Sequence, residues 1–310
     1  MDSMASMRID RTGVWFAVGA YGLWGIAPVY FKSVGFAEPA EVVAHRVVWS
    51  VVVLALVIWL RNLTSDVRAL NARQLTGLAL SGTLISVNWL LFVWAIFAER
   101  MLDASLGYFI NPLVNVLLGV AFFREWLRPA QKAALALAAL GVANEVLAVG
   151  VVPWVGLVLA LSFGLYGAVR KRIGVGAAVG LGLETALVLP LAVGYLLVTT
   201  SGGRGALATG SAGEVALLVA AGPVTVVPLV CFAAAAVRLP LSVLGFFQYL
   251  APSAMFLLAV FVYGEPFRPS QLVTFGCIWL ALLIFSGEAL YHQKRLSRQL
   301  TAKLSGGTAA

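Results

Sequence analysis

A chain of 310 residues that is 61% apolar and only 11% charged, with a mean hydropathy of +0.97, carries more apolar surface than a soluble core of that length needs. The net charge of +8 reads as topology-setting charge on a membrane protein and not as a nucleic-acid surface. Two cysteines, Cys231 and Cys277, both inside apolar runs, suggest neither a disulfide framework nor a metal site.

Uncharged runs long enough to cross a bilayer, which takes about 20 residues, recur along the chain. They predict ten helices over residues 12–31, 42–60, 75–97, 103–123, 130–149, 152–169, 176–198, 214–236, 241–263 and 269–288. A membrane barrel would instead show alternating segments of about 10 residues. The first run is full length and is followed by more spans, so no secretory leader is expected before Thr12. Connections are short, except for 199–213, rich in Gly, Ser and Thr, which reads as a solvated loop.

One segment is written twice. Arg124-Glu125-Trp126-Leu127-Arg128-Pro129-Ala130-Gln131 returns 140 positions later as Gly264-Glu265-Pro266-Phe267-Arg268-Pro269-Ser270-Gln271. Tyr21-Gly22-Leu23-Trp24-Gly25 and Phe163-Gly164-Leu165-Tyr166-Gly167 form a second pair. The chain therefore divides into a first repeat over 12–150 and a second over 151–288, between a short N-terminus (1–11) and a basic tail (289–310). Sixteen Lys and Arg fall on one side of a ten-helix path and four on the other (Lys32, Arg100, Arg204 and Arg268), with Arg46 left inside helix 2. This bias predicts that the sixteen-charge side and both termini are cytoplasmic. Five helices per repeat force the second copy to insert upside down. Inverted repeats of this kind build alternating-access transporters with a substrate site near the midplane. The predicted fold is an all-α polytopic membrane protein of two inverted five-helix repeats around a central cavity.

Several residues within the spans could carry chemistry. Tyr108, Asn111 and Asn115 share one stripe of helix 4, where Pro112 removes a backbone donor and loosens the preceding turn. Polar side chains beside loosened backbone at membrane depth suit a cavity wall, and interhelical hydrogen bonding is the plainer reading. Helix 9 offers Gln248 and Tyr249, helix 3 offers Asn88 and Trp89, and helices 1 and 6 offer Trp24 and Tyr166. Amides and aromatic rings together suit a neutral or amphipathic organic solute. Ionisable side chains in a membrane are costly and mark function. Glu41, His45 and Arg46 lie in the outer part of helix 2, with Arg46 expected to be paired. Glu184, deep in helix 7, needs a proton or a cation across the bundle, with proton exchange favoured over a fixed bridge and Arg46 too far toward the opposite face to pair, and Glu145 reads as a snorkelling carboxylate. There is no phosphate-binding glycine loop and no Cys/His/Asp cluster at metal spacing. Neither a cofactor nor an enzymatic role is expected.

Trp24-Gly25-x-x-Pro28, Glu41 with His45-Arg46-x-x-Trp49-Ser50, Asn88-Trp89, Ser105 to Leu113, Pro153-Trp154, Ser162 to Lys171, Glu184-Thr185 and Gly245 to Tyr249 together resemble the RarD permeases. These belong to the EamA branch of the drug/metabolite transporter superfamily. The match runs from about 12 to 290. Arg124 stands where that pattern has Gly, and Glu145 is not part of it. The resemblance implies a multi-pass secondary transporter of the inner membrane, working on small organic metabolites or drugs, with both ends cytoplasmic. Its expected partners are the small-molecule substrate and membrane lipid, with no nucleic acid, and a homodimer is left open. Export is the favoured direction. A non-transporting membrane subunit or a membrane-embedded enzyme is the alternative.

Overall fold

The computed structural model describes residues 10–123, 128–149, 152–236, 238–239, 247–281, 283–284, 287–288 and 291. Every regular element among them is helical. In order they are α1 (Arg11–Ser33), α2 (Pro39–Leu60), the short α3 (Thr64–Arg68), α4 (Ala72–Phe97), α5 (Met101–Phe123), α6 (Pro129–Val149) and α7 (Trp154–Ile173). There follow α8 (Ala177–Ser201), the four-residue α9 (Ala206–Thr209), α10 (Ala212–Val219), α11 (Ala221–Ala236) and α12 (Leu250–Leu257). A π-helical turn, Leu258–Val262, continues α12 directly, and α13 covers 269–281.

Among the described residues, five stretches are long and apolar enough to cross a membrane: α1, α2, α4, α8 and the run Ala212–Phe232. In hydrocarbon the backbone must satisfy its own polar groups, which is why such runs are helical. At 1.5 Å per residue, the 22 to 26 residues of α1, α2, α4 and α8 span roughly 33–39 Å, enough for a bilayer core. Local chemistry marks their ends. Asp10 caps α1 through the Thr12 N–H at 2.9 Å, and Pro39 opens α2. Asn71 and Gln74 form a capping box on α4, and Gly174 ends α7 with φ +69°. Trp15, Leu147, Leu191 and Phe261 project from the bundle, each more than 70% exposed. An all-helical chain with such an outer surface and several apolar spans is a multi-pass membrane protein.

The helices of residues 11–149 pack mainly on those of 154–281. α1 meets α11 and α12, and α7 meets α4 and α5. α2 crosses α11, α4 crosses α8, and α2 lies along α8. α6 reaches α13 through Asn144, whose amide donates to the Ser270 carbonyl at 3.0 Å and to Thr274 Oγ1 at 3.1 Å. Crossings are closest at glycines. A Cβ on Gly82 would stand 3.1 Å from the Glu184 carbonyl oxygen, and one on Gly222 would stand 2.6 Å from the Trp49 carbonyl carbon. Gly82 and Gly222 are 140 positions apart, the spacing of the repeated segment.

The structure corrects four local expectations. α5 runs unbroken through Pro112, because a proline removes only one donor and the rest of the ladder closes around it. Glu145 does not snorkel. It is buried against α13 and accepts from Thr274 Oγ1 at 2.9 Å. The stretch 199–213 is no open loop. α8 continues to Ser201, α9 follows, and the Glu41 carboxylate accepts from the Ala206 N–H at 2.6 Å. Among the described residues of the ninth predicted helix, Phe247 is helical, Gln248 and Tyr249 make a turn, and the helix resumed at Leu250 widens into the π-helical turn. Its predicted first six residues, 241–246, lie outside the described residues, as does nearly all of the basic tail.

The second copy of the repeated segment has a visible task. Glu265 accepts from the backbone N–H of Met101 at 3.0 Å and of Leu102 at 2.9 Å, the first turn of α5. A carboxylate there satisfies orphan donors and complements the helix dipole. Burial pushes its carboxyl above the ordinary range, against the downward pull of those two donors. Glu125, its counterpart in the first copy, lies outside the described residues.

Candidate functional site

The charged side chains of Arg46 and Glu184 lie deep in the bundle, one in each half of the chain. Arg46 is on α2. Its residue is 8% exposed, and its Nε donates to Thr225 Oγ1 of α11 at 2.7 Å. The guanidinium lies 4.1 Å from the centroid of Trp89 (α4) and 5.6 Å from that of Phe31 (α1). These are cation–π distances. The expectation that Arg46 is ion-paired fails among the described residues, where a hydroxyl and two rings face it.

Glu184 is on α8, and its side chain is fully buried. It accepts from Ser81 Oγ of α4 at 2.5 Å and from the Tyr166 hydroxyl of α7 at 3.3 Å. Arg170, one turn beyond Tyr166, places Nη1 3.5 Å from Glu184 Oε1. Its Nη2 donates to the carbonyls of Val175 and Gly176 at 3.1 and 3.3 Å. The sequence placed no cation beside Glu184 because Arg170 counts there as a membrane-boundary charge. Instead its long stem folds inward. Gly180 makes room for it, since a Cβ there would fall on the guanidinium itself.

A path of rings joins the two charges. Phe31 meets Phe92 at 5.6 Å between centroids, Phe92 meets Tyr108 at 5.7 Å, Tyr108 meets Phe163 at 6.4 Å, and Phe163 meets Tyr166 at 5.8 Å. All but the last are edge-to-face contacts, the preferred geometry of packed rings. The path crosses α1, α4, α5 and α7 and so runs between the two halves. The Tyr108 hydroxyl has no hydrogen-bond partner among the described residues.

Of the expected site residues, Tyr108 and Tyr166 lie on this path, and Trp89 faces the guanidinium at its end. Asn88 is turned aside: its amide donates to the Leu159 carbonyl at 3.0 Å and to Ser162 Oγ at 2.9 Å, holding α4 to α7. Asn111 is completely buried, and neither its Nδ2 nor its Oδ1 has a partner among the described residues. The Asn115 side chain lies outside the described residues. Trp24 packs with Tyr21 and Phe232 between α1 and α11, at 5.4 and 5.9 Å. Gln248 and Tyr249 are half-buried at the turn before α12, Tyr249 against the main core. Glu41 is spent on Ala206. His45 accepts at Nδ1 from Trp49 Nε1 at 3.2 Å, and its buried Nε2 has no partner among the described residues.

Sequence reasoning missed Phe31, Phe92, Thr225 and Ser81. Each is an ordinary residue of an apolar helix, and only the crossing of helices gives it a charge to face. Phe163 and Arg170 were within the quoted motifs, and their spacing of i, i+3 and i+7 with Tyr166 was the available signal.

Comparison with known proteins agrees with this architecture. The model of the EamA-like transporter family matches residues 11–144. An uncharacterized transporter of Vibrio cholerae is 50% identical over 292 residues, 93% of this chain and 97% of that protein. Protein RarD of Escherichia coli K12 is 45% identical, over 93% of this chain and 98% of its own. A Pseudomonas aeruginosa relative named chloramphenicol-sensitive protein RarD is 35% identical, over 94% and 99%. A solved crystal structure at 18% identity shares the fold with a TM-score of 0.59, covering 88% of this chain and 96% of that one.

Proposed function

The chain belongs to the EamA-like transporter family, alongside the RarD proteins, and from that premise we propose that it is a secondary transporter exporting small organic metabolites or drugs. The observation that carries the reading is the ring-lined path between Arg46 and Glu184, held by helices of both halves. A site built from both halves changes its access when the halves move against each other.

The proposed architecture is ten spans in two inverted repeats, in the inner membrane, with both termini cytoplasmic. Reciprocal packing supports it. Exchanging each helix for its counterpart turns α1 on α11 into α7 on α4, α1 on α12 into α7 on α5, and α2 on α11 into α8 on α4, and every one of these pairs is in contact. The matched glycines 82 and 222 support the same relation. The sixteen-to-four cation bias supports the orientation. In a cysteine-free background, Ser211→Cys is expected to react with an impermeant thiol reagent in intact cells, and Ser305→Cys only after permeabilisation. The reverse pattern overturns the orientation.

Proteoliposomes containing only this protein are expected to move solutes from a broad panel of small organic compounds. Asn111→Ala, Tyr108→Phe and Gln248→Ala are each expected to change the rate or the apparent KM several-fold while the protein still reaches the membrane. Unchanged kinetics in all three would make these residues packing alone. No flux across the panel, with a protein partner co-purifying, would favour a non-transporting subunit.

A further inference from the structure

Arg46 and Glu184 are treated differently by their surroundings. Glu184 is neutralised by Arg170 and hydrogen-bonded by Ser81 and Tyr166. Arg46 has no such arrangement. Its Nε alone is bonded, to a hydroxyl, and neither terminal nitrogen has an acceptor among the described residues. Glu41, five residues earlier on α2, already accepts from Ala206. Removing a guanidinium from water without a counter-charge is costly, and Glu184 avoids that cost through Arg170.

The surroundings show what is missing. Trp89 and Phe31 flank the guanidinium, and Tyr108 lies close enough to interact with it electrostatically. The Tyr108 hydroxyl has no hydrogen-bond partner among the described residues. The terminal nitrogens are not among the atoms sealed from the accessible surface. A planar fork of N–H donors beside a phenol, walled by rings, is the geometry that receives a carboxylate carried on an apolar or aromatic body. The polar cavity of about 440 Å³ near the end of α8 is a weaker candidate. Its carboxylates Glu38, Glu41 and Glu214 already accept from Tyr195, Ala206 and Ser211.

We propose that Arg46 is the anion anchor of the transport site, and that the solute is a small organic carboxylate with an aromatic or apolar body. This rests on the transporter reading above for the use made of the site, but not for the chemistry of binding. It narrows the neutral or amphipathic solute expected from sequence to an anionic one.

The test compares benzoate with benzamide, which differ in charge but hardly in shape, and with chloride. Binding is read as thermal stabilisation of the purified full chain in detergent. Benzoate is expected to bind at least about tenfold more tightly than benzamide, the range of a hydrogen bond to a charged group. Chloride at equal concentration should stabilise less than benzoate. Arg46→Gln should reduce the benzoate–benzamide gap to about twofold, and Arg46→Lys should keep a smaller gap of the same sign, since lysine lacks the fork. If Arg46→Gln does not fold, the wild-type pair and Arg46→Lys decide. Equal binding of benzoate and benzamide, stabilisation by chloride as strong as by benzoate, or a full gap surviving in Arg46→Gln overturns the proposal. So does the absence of stabilisation by any member of a panel of aromatic and aliphatic acids. Flux in proteoliposomes separates the two readings. Benzamide moving while benzoate neither binds nor moves removes the anion anchor and leaves transport standing. Carboxylate binding lost in Arg46→Gln, with no flux of any solute, keeps the anchor and removes transport.

Discussion

Gly107→Leu is expected to destabilise the folded protein by about 3 kcal/mol or more, the upper range for overpacking a close-packed contact. At this point α5 and α7 meet backbone to backbone. A Cβ on Gly107 would stand 2.6 Å from the Gly156 carbonyl oxygen and 2.8 Å from its Cα. A Cβ on Gly156 would in turn stand 2.9 Å from the Asp103 carbonyl oxygen. No side-chain rotation relieves either clash, so the helices must separate, and Tyr108 and Phe163 on the ring path separate with them. Gly167→Ala, also in α7 but with nothing within 4 Å of an added Cβ, is the control and is expected to be neutral or slightly stabilising. Monodispersity of fluorescent fusions after heating in detergent compares the two. Equal melting of Gly107→Leu and Gly167→Ala would refute the close-approach account.

Arg170→Ala is expected to be nearly as damaging, at about 3–5 kcal/mol, because it leaves Glu184 buried beside a hydroxyl and a phenol without its counter-charge. Arg170→Ala combined with Glu184→Gln should cost clearly less than the single change, since the uncompensated charge is gone. Gly180→Ala keeps both charges and should cost less than Arg170→Ala, because the guanidinium it displaces is the far end of a flexible side chain and can move aside. Thermal unfolding of Arg170→Ala, Glu184→Gln and the double variant completes the cycle, with Gly180→Ala measured alongside. Strictly additive effects of Arg170→Ala and Glu184→Gln would show that the two side chains do not work as a pair.

The extents of the helices were legible in the sequence because the length of an apolar run is a direct consequence of bilayer thickness. The starts at 11, 39, 72, 101 and 129 fall within three residues of the expected ones. Interruptions were not legible. The π-helical turn at Leu258–Val262 lies in a run with the same composition as its neighbours, and the short α9 exists because Glu41, 165 positions away, holds Ala206. The candidate site divides in the same way. Tyr108, Trp89 and Tyr166 were visible because aromatic and polar residues stand out in an apolar helix. Thr225 and Ser81 were not, because their importance comes from which helix crosses theirs. Arg170 was misread for a related reason: local position says that a cation near a helix end reaches the headgroups, and only the tertiary structure shows it turned the other way.

The bond between Glu41 and Ala206 joins the surface to the interior. Glu41 and Arg46 lie on one uninterrupted helix, roughly 7.5 Å apart along its axis. Gly202, Gly203 and Arg204, just before Ala206, are exposed. Whatever grips that short segment from solvent, an antibody fragment for instance, takes hold of a rigid rod that carries the guanidinium less than two turns further along. It thus has mechanical leverage on the centre of the molecule without entering it.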